Sequence, residues 1–417
     1  MADRLKIGLI GAGFISSLHA QSFQYIRHAD ICGIVDKKKI RARKLARLCE
    51  KAGVGKPKIF ASITDMVKDR GIDAVWINTP NFTRIPIMEE IADAVLKKKA
   101  RLVGVACEKP LGRNVNEAKR MVALMNKTGL LHGYLEDLCF APSITKGKDI
   151  LWKRGAAISG EPYLARCAGE HGGPHDPWFW QGNLQGGGVL NDMMCHTLEA
   201  ARFLLTPPGK KKSSIKPVNI TCDIANLKWL RKEYIDIQNS KFNGKFDYAK
   251  MPSEDYARAT IVFESAQKNP LIAELTTSWC FNGPGLKLGF ELIGPEYYMQ
   301  INSLTPELNV FFSRDVKGKA GEDLVQKQAA EQGLMPVVTH DEIVYGYTGE
   351  NKHMVDSFLE GKLPEENFED GLLIQKILAA CYMAAEQGKK IKFPPDGLDN
   401  FIPRTAQGTW NPKSIFK

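Results

Sequence analysis

The chain has 417 residues, 44% hydrophobic and 25% charged, the balance of an ordinary globular protein, and its length exceeds one typical core, so two domains are expected. No apolar run reaches the 18 residues that a membrane span needs, and Met1-Ala-Asp-Arg-Leu5 leads straight into a strand pattern. Neither a membrane partner nor a signal peptide is therefore expected, and the expected compartment is the cytoplasm. The net charge of +10 gathers in Lys37–Lys39, Lys97–Lys99 and Lys210–Lys212, at a turn, a helix end and a loop. A nucleic-acid site would need them on one face with aromatics interleaved, so no nucleic-acid partner is expected. Nine cysteines without a Cys-x-x-Cys read as reduced thiols, neither a disulfide framework nor a zinc site.

Through the first 130 residues, short apolar runs alternate with stretches of helical period. The runs are Ile7–Ile10, Ile31–Val35, Ala74–Asn78 and Leu102–Cys107; the helical stretches are Ser17–Arg27, Ile40–Ala52, Ile63–Lys68, Ile85–Lys98 and Val115–Lys127. This alternation predicts an α/β, doubly wound parallel sheet of the Rossmann kind over residues 1–130, with ligands at the carboxyl ends of its strands. The first run breaks into Gly11-Ala-Gly13 and opens a helix at Phe14 and Ile15. Gly11 permits the tight turn, Gly13 lets backbone N–H groups approach a pyrophosphate, and the helix start adds its positive dipole. Where a third glycine is usual stands Ser16, still small enough for close helix–strand packing. Asp36 ends the second run, where a carboxylate accepts hydrogen bonds from the adenosine ribose. NAD is the expected cofactor. NADP is disfavoured because its 2′-phosphate would meet Asp36 as like charge. Thr79-Pro80-Asn81 and Glu108-Lys109-Pro110 end the third and fourth runs and belong to the same cofactor-facing set. The Lys109 ammonium could donate to a substrate oxygen and stabilise charge developing on it.

From about Leu131 the texture changes, and residues 131–417 read as an α+β domain with a large, mostly antiparallel open sheet. Its strands are expected at Gly160–His171, Val218–Ala225, Asp255–Glu264, Leu271–Cys280, Leu286–Gly294 and Tyr297–Asn302. Helices at Ser143–Arg154, Asp192–Leu205 and Lys352–Leu359 are expected to cover one face, with a closing helix at Gly371–Gln387. The stretch 227–252, rich in Lys, Asn and Tyr, reads as an insertion loop.

Two further constellations carry chemistry. Gly186-Gly187-Gly188 leads into a helix on which Asp192 and His196 stand four residues apart, hence on one face, with Asn191 beside them. An imidazole there could take a hydroxyl proton, its tautomer set by the carboxylate one turn away, although such a pair is commonly a plain helix contact. The segment His171-Gly-Gly-Pro-His175-Asp-Pro-Trp178-Phe-Trp180 suits a loop that stacks on a sugar ring and bonds its hydroxyls; packing of the tryptophans onto the sheet is the alternative. Gly-Gly-Pro interrupts the two histidines, so they are no helical ligand pair, and no metal is expected.

In order and separation, Gly11-Ala-Gly13, Asp36, Thr79-Pro80-Asn81, Glu108-Lys109-Pro110 and Gly188-x-x-x-Asp192-x-x-x-His196 together resemble the glucose–fructose oxidoreductase, inositol dehydrogenase and rhizopine catabolism (Gfo/Idh/MocA) family. Glu369-Asp370-Gly371 before the closing helix extends the likeness over nearly the whole chain, while Met193 and Met194 stand where many members have a small residue. The resemblance implies catalytic roles for Lys109 and His196 with Asp192 assisting, and hydride transfer between nicotinamide and a hydroxyl carbon of a cyclic sugar, inositol or related polyol. It also implies a homodimer or homotetramer joined through the second sheet. A redox-neutral hydrolase or epimerase with retained NAD, and a non-catalytic sugar sensor, are the alternatives on the same fold; a sensor needs no proton acceptor.

Overall fold

The computed structural model describes residues 4–305, 308–312 and 333–413. The chain forms two compact units, Met1–Pro142 with Glu342–Gln375, and Ser143–Asp341 with Lys376–Lys417. The first unit thus runs past residue 130 and takes a late segment of the chain.

In the first unit, β1 (Leu5–Ile10), β2 (Ala29–Val35), β3 (Lys58–Ile59), β4 (Ala74–Ile77), β5 (Gly104–Glu108) and β6 (Leu131–Leu135) form an all-parallel sheet of order β3-β2-β1-β4-β5-β6. Burial of both faces explains why these strands read as apolar runs without alternation. The helices α1 (Phe14–Ser22), α2 (Lys39–Ala52), α3 (Ile63–Lys68), α4 (Arg84–Leu96) and α5 (Val115–Thr128) connect them. Local chemistry delimits several of these. Ser62 caps α3 by accepting the Asp65 N–H, and Asn114 caps α5 by accepting that of Glu117. Gly53 and Gly129 end α2 and α5.

The helix Tyr347–Leu359 belongs to this unit. The sequence pattern alone assigns Lys352–Leu359 to a face of the second sheet. Instead, Phe358 lies edge-on to Trp76, and Asn351 accepts the Trp76 indole N–H at 2.8 Å. The reason is burial: Met354, Val355 and Phe358 join the core built by β1, β2 and β4.

In the second unit, β7 (Leu164–Glu170), β8 (Lys216–Ala225), β9 (Tyr256–Glu264), β10 (Pro270–Ser278), β11 (Lys287–Gly294), β12 (Tyr297–Asn302) and the short Ile391–Lys392 form one sheet of order β12-β11-β7-β10-β9-β8 followed by that short strand. All pairings are antiparallel except β7 with β10, so the sheet is mixed, mostly antiparallel. A separate hairpin pairs Leu308–Phe312 with Gly333–Val337. The helix Val189–Leu205 lies on one face, against β7, β9 and β10, with all its residues but Phe203 buried. On the other face Arg166 pairs with Glu274 and Glu291, and Arg258 with Asp223. The insertion 227–252 is not simply a loop, since Lys232–Lys241 is helical.

Candidate active site

In the first unit the Gly11 turn sits at the carboxyl end of β1. Gly11 has φ +98°, and a Cβ there would lie 2.7 Å from the Asn78 carbonyl oxygen, so only glycine fits. Its N–H donates to Val35 O at 2.8 Å, tying β1 to β2. Ser16 does more than stay small: its buried hydroxyl donates to Gly11 O at 2.8 Å and braces the turn. Gly13 precedes the first turn of α1 (Phe14, Ile15) without a capping side chain, and a Cβ there would meet nothing within 4 Å. Open space beside Gly13 at the start of this helix is what an anionic pyrophosphate requires. Asp36 accepts the Ala12 N–H at 2.8 Å on one oxygen and the Lys38 N–H at 2.6 Å on the other. Each oxygen keeps a second lone pair, the capacity that two ribose hydroxyls would use.

The loops after β4 and β5 carry the other cofactor-facing candidates. Thr79 accepts a hydrogen bond from the Thr83 hydroxyl, Pro80 follows, and Asn81 is buried in the short turn Asn81–Thr83. Glu108, expected to face the cofactor, turns inward instead. One oxygen meets His19 Nε2 at 2.8 Å and the other accepts the Lys109 N–H at 3.1 Å. Burial alone would raise its carboxyl, but the hydrogen bond from His19 and the charges of Lys109 and Arg84 hold it below the usual range. Since the Asn351 oxygen takes the Trp76 N–H, its amide nitrogen faces His19 Nδ1 at 2.8 Å. That leaves His19 Nε2 as the donor to Glu108. Glu108 therefore supports Lys109 from behind, and His19, Asn351 and Trp76 support Glu108.

In the second unit the structure gathers His171, Asp192 and Trp279, all buried. Trp279 Nε1–H donates to Asp192 Oδ2 at 3.2 Å. His171 accepts the Gly173 N–H on Nδ1, so its neutral ring carries the proton on Nε2, 3.9 Å from that same Asp192 oxygen. His196 stands one turn beyond Asp192 and is 9% exposed. The triple glycine has a concrete cause. Glu254 Oε1 accepts the N–H groups of Gly188 and Leu190 and the Tyr382 hydroxyl at 2.9, 3.1 and 2.6 Å. A Cβ on Gly187 would fall 2.0 Å from Tyr382 Oη, and one on Gly188 would fall 2.2 Å from Glu254 O. The helix bearing Asp192 and His196 thus starts on a buried acid from another segment. Burial pushes the Glu254 carboxyl up to about 7 against these donors, and pushes the Tyr382 phenol well above its usual value.

The remaining candidates divide. Trp180 is 2% exposed, its ring edge-on to Trp229 and Tyr248 and tilted against Trp279, with Nε1 donating to Pro174 O. Its faces are taken, so it holds the loop together behind Asp192 rather than stacking on a sugar. Trp178 stacks on Phe179 with centroids 3.8 Å apart and is half-buried, as is His175. Asn191 is fully buried and donates to Gln185 O at 2.9 Å, which places it in the scaffold of the glycine turn. Sequence reasoning missed His19, Arg84, Asn351, Glu254, Trp279 and Tyr382, because each acts through a partner far away in sequence; His19 and Asn351 are 332 positions apart.

Residues 5–134 match the oxidoreductase family GFO/IDH/MocA, NAD-binding Rossmann fold, and residues 158–297 match the GFO/IDH/MocA C-terminal domain. The chain is 27% identical over 201 residues to myo-inositol 2-dehydrogenase of Thermotoga maritima, a match covering 48% of this chain and 55% of that protein. It thus spans about half the length of that relative. It is 23% identical over 412 residues to levoglucosan dehydrogenase of Pseudarthrobacter phenanthrenivorans, covering 94% of this chain and 99% of the other. Among solved structures, GenD2 from gentamicin A biosynthesis, in complex with NAD, shares the fold at TM-score 0.74 and 21% identity, covering 95% of this chain and 98% of that one.

Proposed function

Because this chain belongs to the Gfo/Idh/MocA family of NAD-binding oxidoreductases, we propose that it is an NAD-dependent dehydrogenase acting on a CH–OH group of a cyclic sugar, inositol or related polyol. The observation that carries this reading is the buried Asp192, held by Trp279 one helical turn from His196. A carboxylate anchored in this way can orient an imidazole for proton transfer, and a sensor has no need of one. NAD, when bound, supplies the hydride acceptor. The Gly11–Ile15 turn and the Thr79–Asn81 loop would hold its phosphate and nicotinamide ends, and Asp36 its ribose. In the oxidative direction His196 would accept the hydroxyl proton, Asp192 would set its orientation, and the Lys109 ammonium would donate to the substrate oxygen. His171 lies against Asp192 as a further orienting group, and His175 and Trp178 remain the candidates for sugar contact. The levoglucosan and D-glucoside 3-dehydrogenase relatives, each aligned over more than nine-tenths of this chain, favour a pyranose ring as substrate. Self-association through the sheet face bearing Arg166 and Arg258 belongs to the same reading and is checked by light scattering.

The test is a screen of levoglucosan, methyl glucosides, D-xylose and myo-inositol with added NAD at alkaline pH, following absorbance of the reduced cofactor. Before it, the purified protein is denatured and its supernatant assayed for cofactor already bound. Released NADH is the expected result. Product formation without NADH release would point to a redox-neutral reaction, and binding without turnover to a sensor.

A further inference from the structure

Arg84 is the first residue of α4 and is only 3% exposed. Its guanidinium converges on four backbone carbonyls. Nε donates to Thr79 O at 3.1 Å, Nη1 to Glu108 O at 2.6 Å and also to Pro110 O, and Nη2 to Lys109 O at 3.1 Å. Among the described residues no carboxylate forms an ion pair with it. The Glu108 carboxylate acts on it only at longer range, and burying a cation mainly against carbonyl dipoles is costly, so a neutral side chain could brace a loop with less penalty. What a neutral side chain lacks is the reach of a planar five-donor fork, able to hold several acceptors in one fixed geometry. Here three of those acceptors are consecutive carbonyls spanning Lys109, and the fourth belongs to the loop after the neighbouring strand β4.

We propose that Arg84 is a positioning residue: it locks the backbone on both sides of Lys109 and ties it to the Thr79–Asn81 loop, so the lysine ammonium and the dinucleotide-facing loop keep one register. The inference rests on the reading of Lys109 as the group that meets the substrate oxygen. Glu108 completes the arrangement, since its carboxylate accepts the Lys109 N–H while Arg84 holds the Glu108 carbonyl. The Lys109 backbone is thereby gripped at its N–H by an acid and at its carbonyl by a guanidinium. A lysine at position 84 keeps the charge but, as a point donor, cannot span four carbonyls.

The experiment compares Arg84→Lys, Arg84→Met and Lys109→Ala with the parent chain, using NAD with levoglucosan and with myo-inositol as probes. Misplacement of a catalytic group by about 1 Å costs on the order of a hundredfold, so Arg84→Lys is expected to lose about that factor in kcat with its sugar KM nearly unchanged. Its NAD affinity, titrated by tryptophan fluorescence, should weaken about fivefold as the Thr79–Asn81 loop loosens. Amide exchange should rise about tenfold or more in peptides covering 79–84 and 107–112 while peptides from α2 stay as they were, a local opening that is read whether or not a probe turns over. Arg84→Met should show the same pattern more strongly; if it does not fold, Arg84→Lys carries the test. The proposal is overturned if Arg84→Lys keeps kcat within about twofold, or if its exchange in those two peptides is unchanged. Full activity in Lys109→Ala would remove the underlying reading of Lys109; an inactive Lys109→Ala beside an active Arg84→Lys would remove only the role of Arg84.

Discussion

Replacing Glu254 by Gln should flatten the dependence of stability on pH between about 5 and 8. Glu254 Oε1 is fully used by Gly188, Leu190 and Tyr382, while Oε2 is buried without a partner among the described residues, the natural place for the acid's own proton. Burial raises this carboxyl from 4.5 to about 7. An acid raised in the folded state holds a proton that the unfolded chain has already lost. Its stabilising contribution is full below the unfolded value and disappears as pH rises through about 7. That rise from 4.5 to about 7, at 1.36 kcal/mol for each tenfold change in proton affinity, corresponds to about 3 kcal/mol. Gln reproduces the protonated acid at every pH, since its carbonyl still accepts the three donors and its amide takes the place of the hydroxyl. Glu254→Gln should therefore match the parent near pH 5 and exceed it by about 2–3 kcal/mol at pH 8, a melting difference of about 5 °C or more. Denaturant titrations from pH 5 to 8.5, with thermal melts alongside, measure it. Parallel stability curves for the two proteins over that range would refute the reasoning.

The cofactor reading predicts that Asp36→Ser moves preference toward NADP, because the substitution removes the charge that opposes a 2′-phosphate; equal kcat/KM values for the two cofactors in the parent chain would count against it. If His196 is the proton acceptor, kcat/KM should rise with pH and then level off, and His196→Asn should lose both that limb and most of the rate. Asp192→Asn should lose less if Asp192 only orients, and as much if the pair titrates as a unit. Trp180→Ala should cost on the order of 3–5 kcal/mol of stability with sugar KM unchanged, as expected for a buried Trp, whereas Trp178→Ala should raise KM at little cost in stability. Melting curves and Michaelis plots of both variants distinguish the two roles.

Local signals in this chain were strong where neighbours in sequence act on one another. The apolar run before Gly11, the tight turn at Gly11, the acid at Asp36 and the Asp192–His196 spacing all lie within one or two elements, and all are legible in the chain. The parallel sheet followed from strand–helix alternation, because burial of both faces leaves a continuous apolar run. Periodicity also points to the helix at Lys352–Leu359, the later part of Tyr347–Leu359, but it carries no information on which sheet a helix covers. The core around Trp76 decided that, and with it the unit to which Asn351 belongs. The two expected glycine turns were found as well, but why the second needs Gly187 and Gly188 became visible only with Tyr382 and Glu254 packed on them. Trp180 reads equally well as a stacking ring or a core ring until Trp229, Tyr248 and Trp279 surround it. The sequence by itself therefore determined the parallel sheet, the dinucleotide turn with its acid, and the helix carrying Asp192 and His196, since each depends on chain-local geometry. Tertiary structure alone decided what holds those groups in place: Arg84 on four carbonyls, His19 and Asn351 behind Glu108, Trp279 on Asp192, and Glu254 at the helix start. Hydrogen bonds between residues tens to hundreds of positions apart leave no periodic trace in the chain.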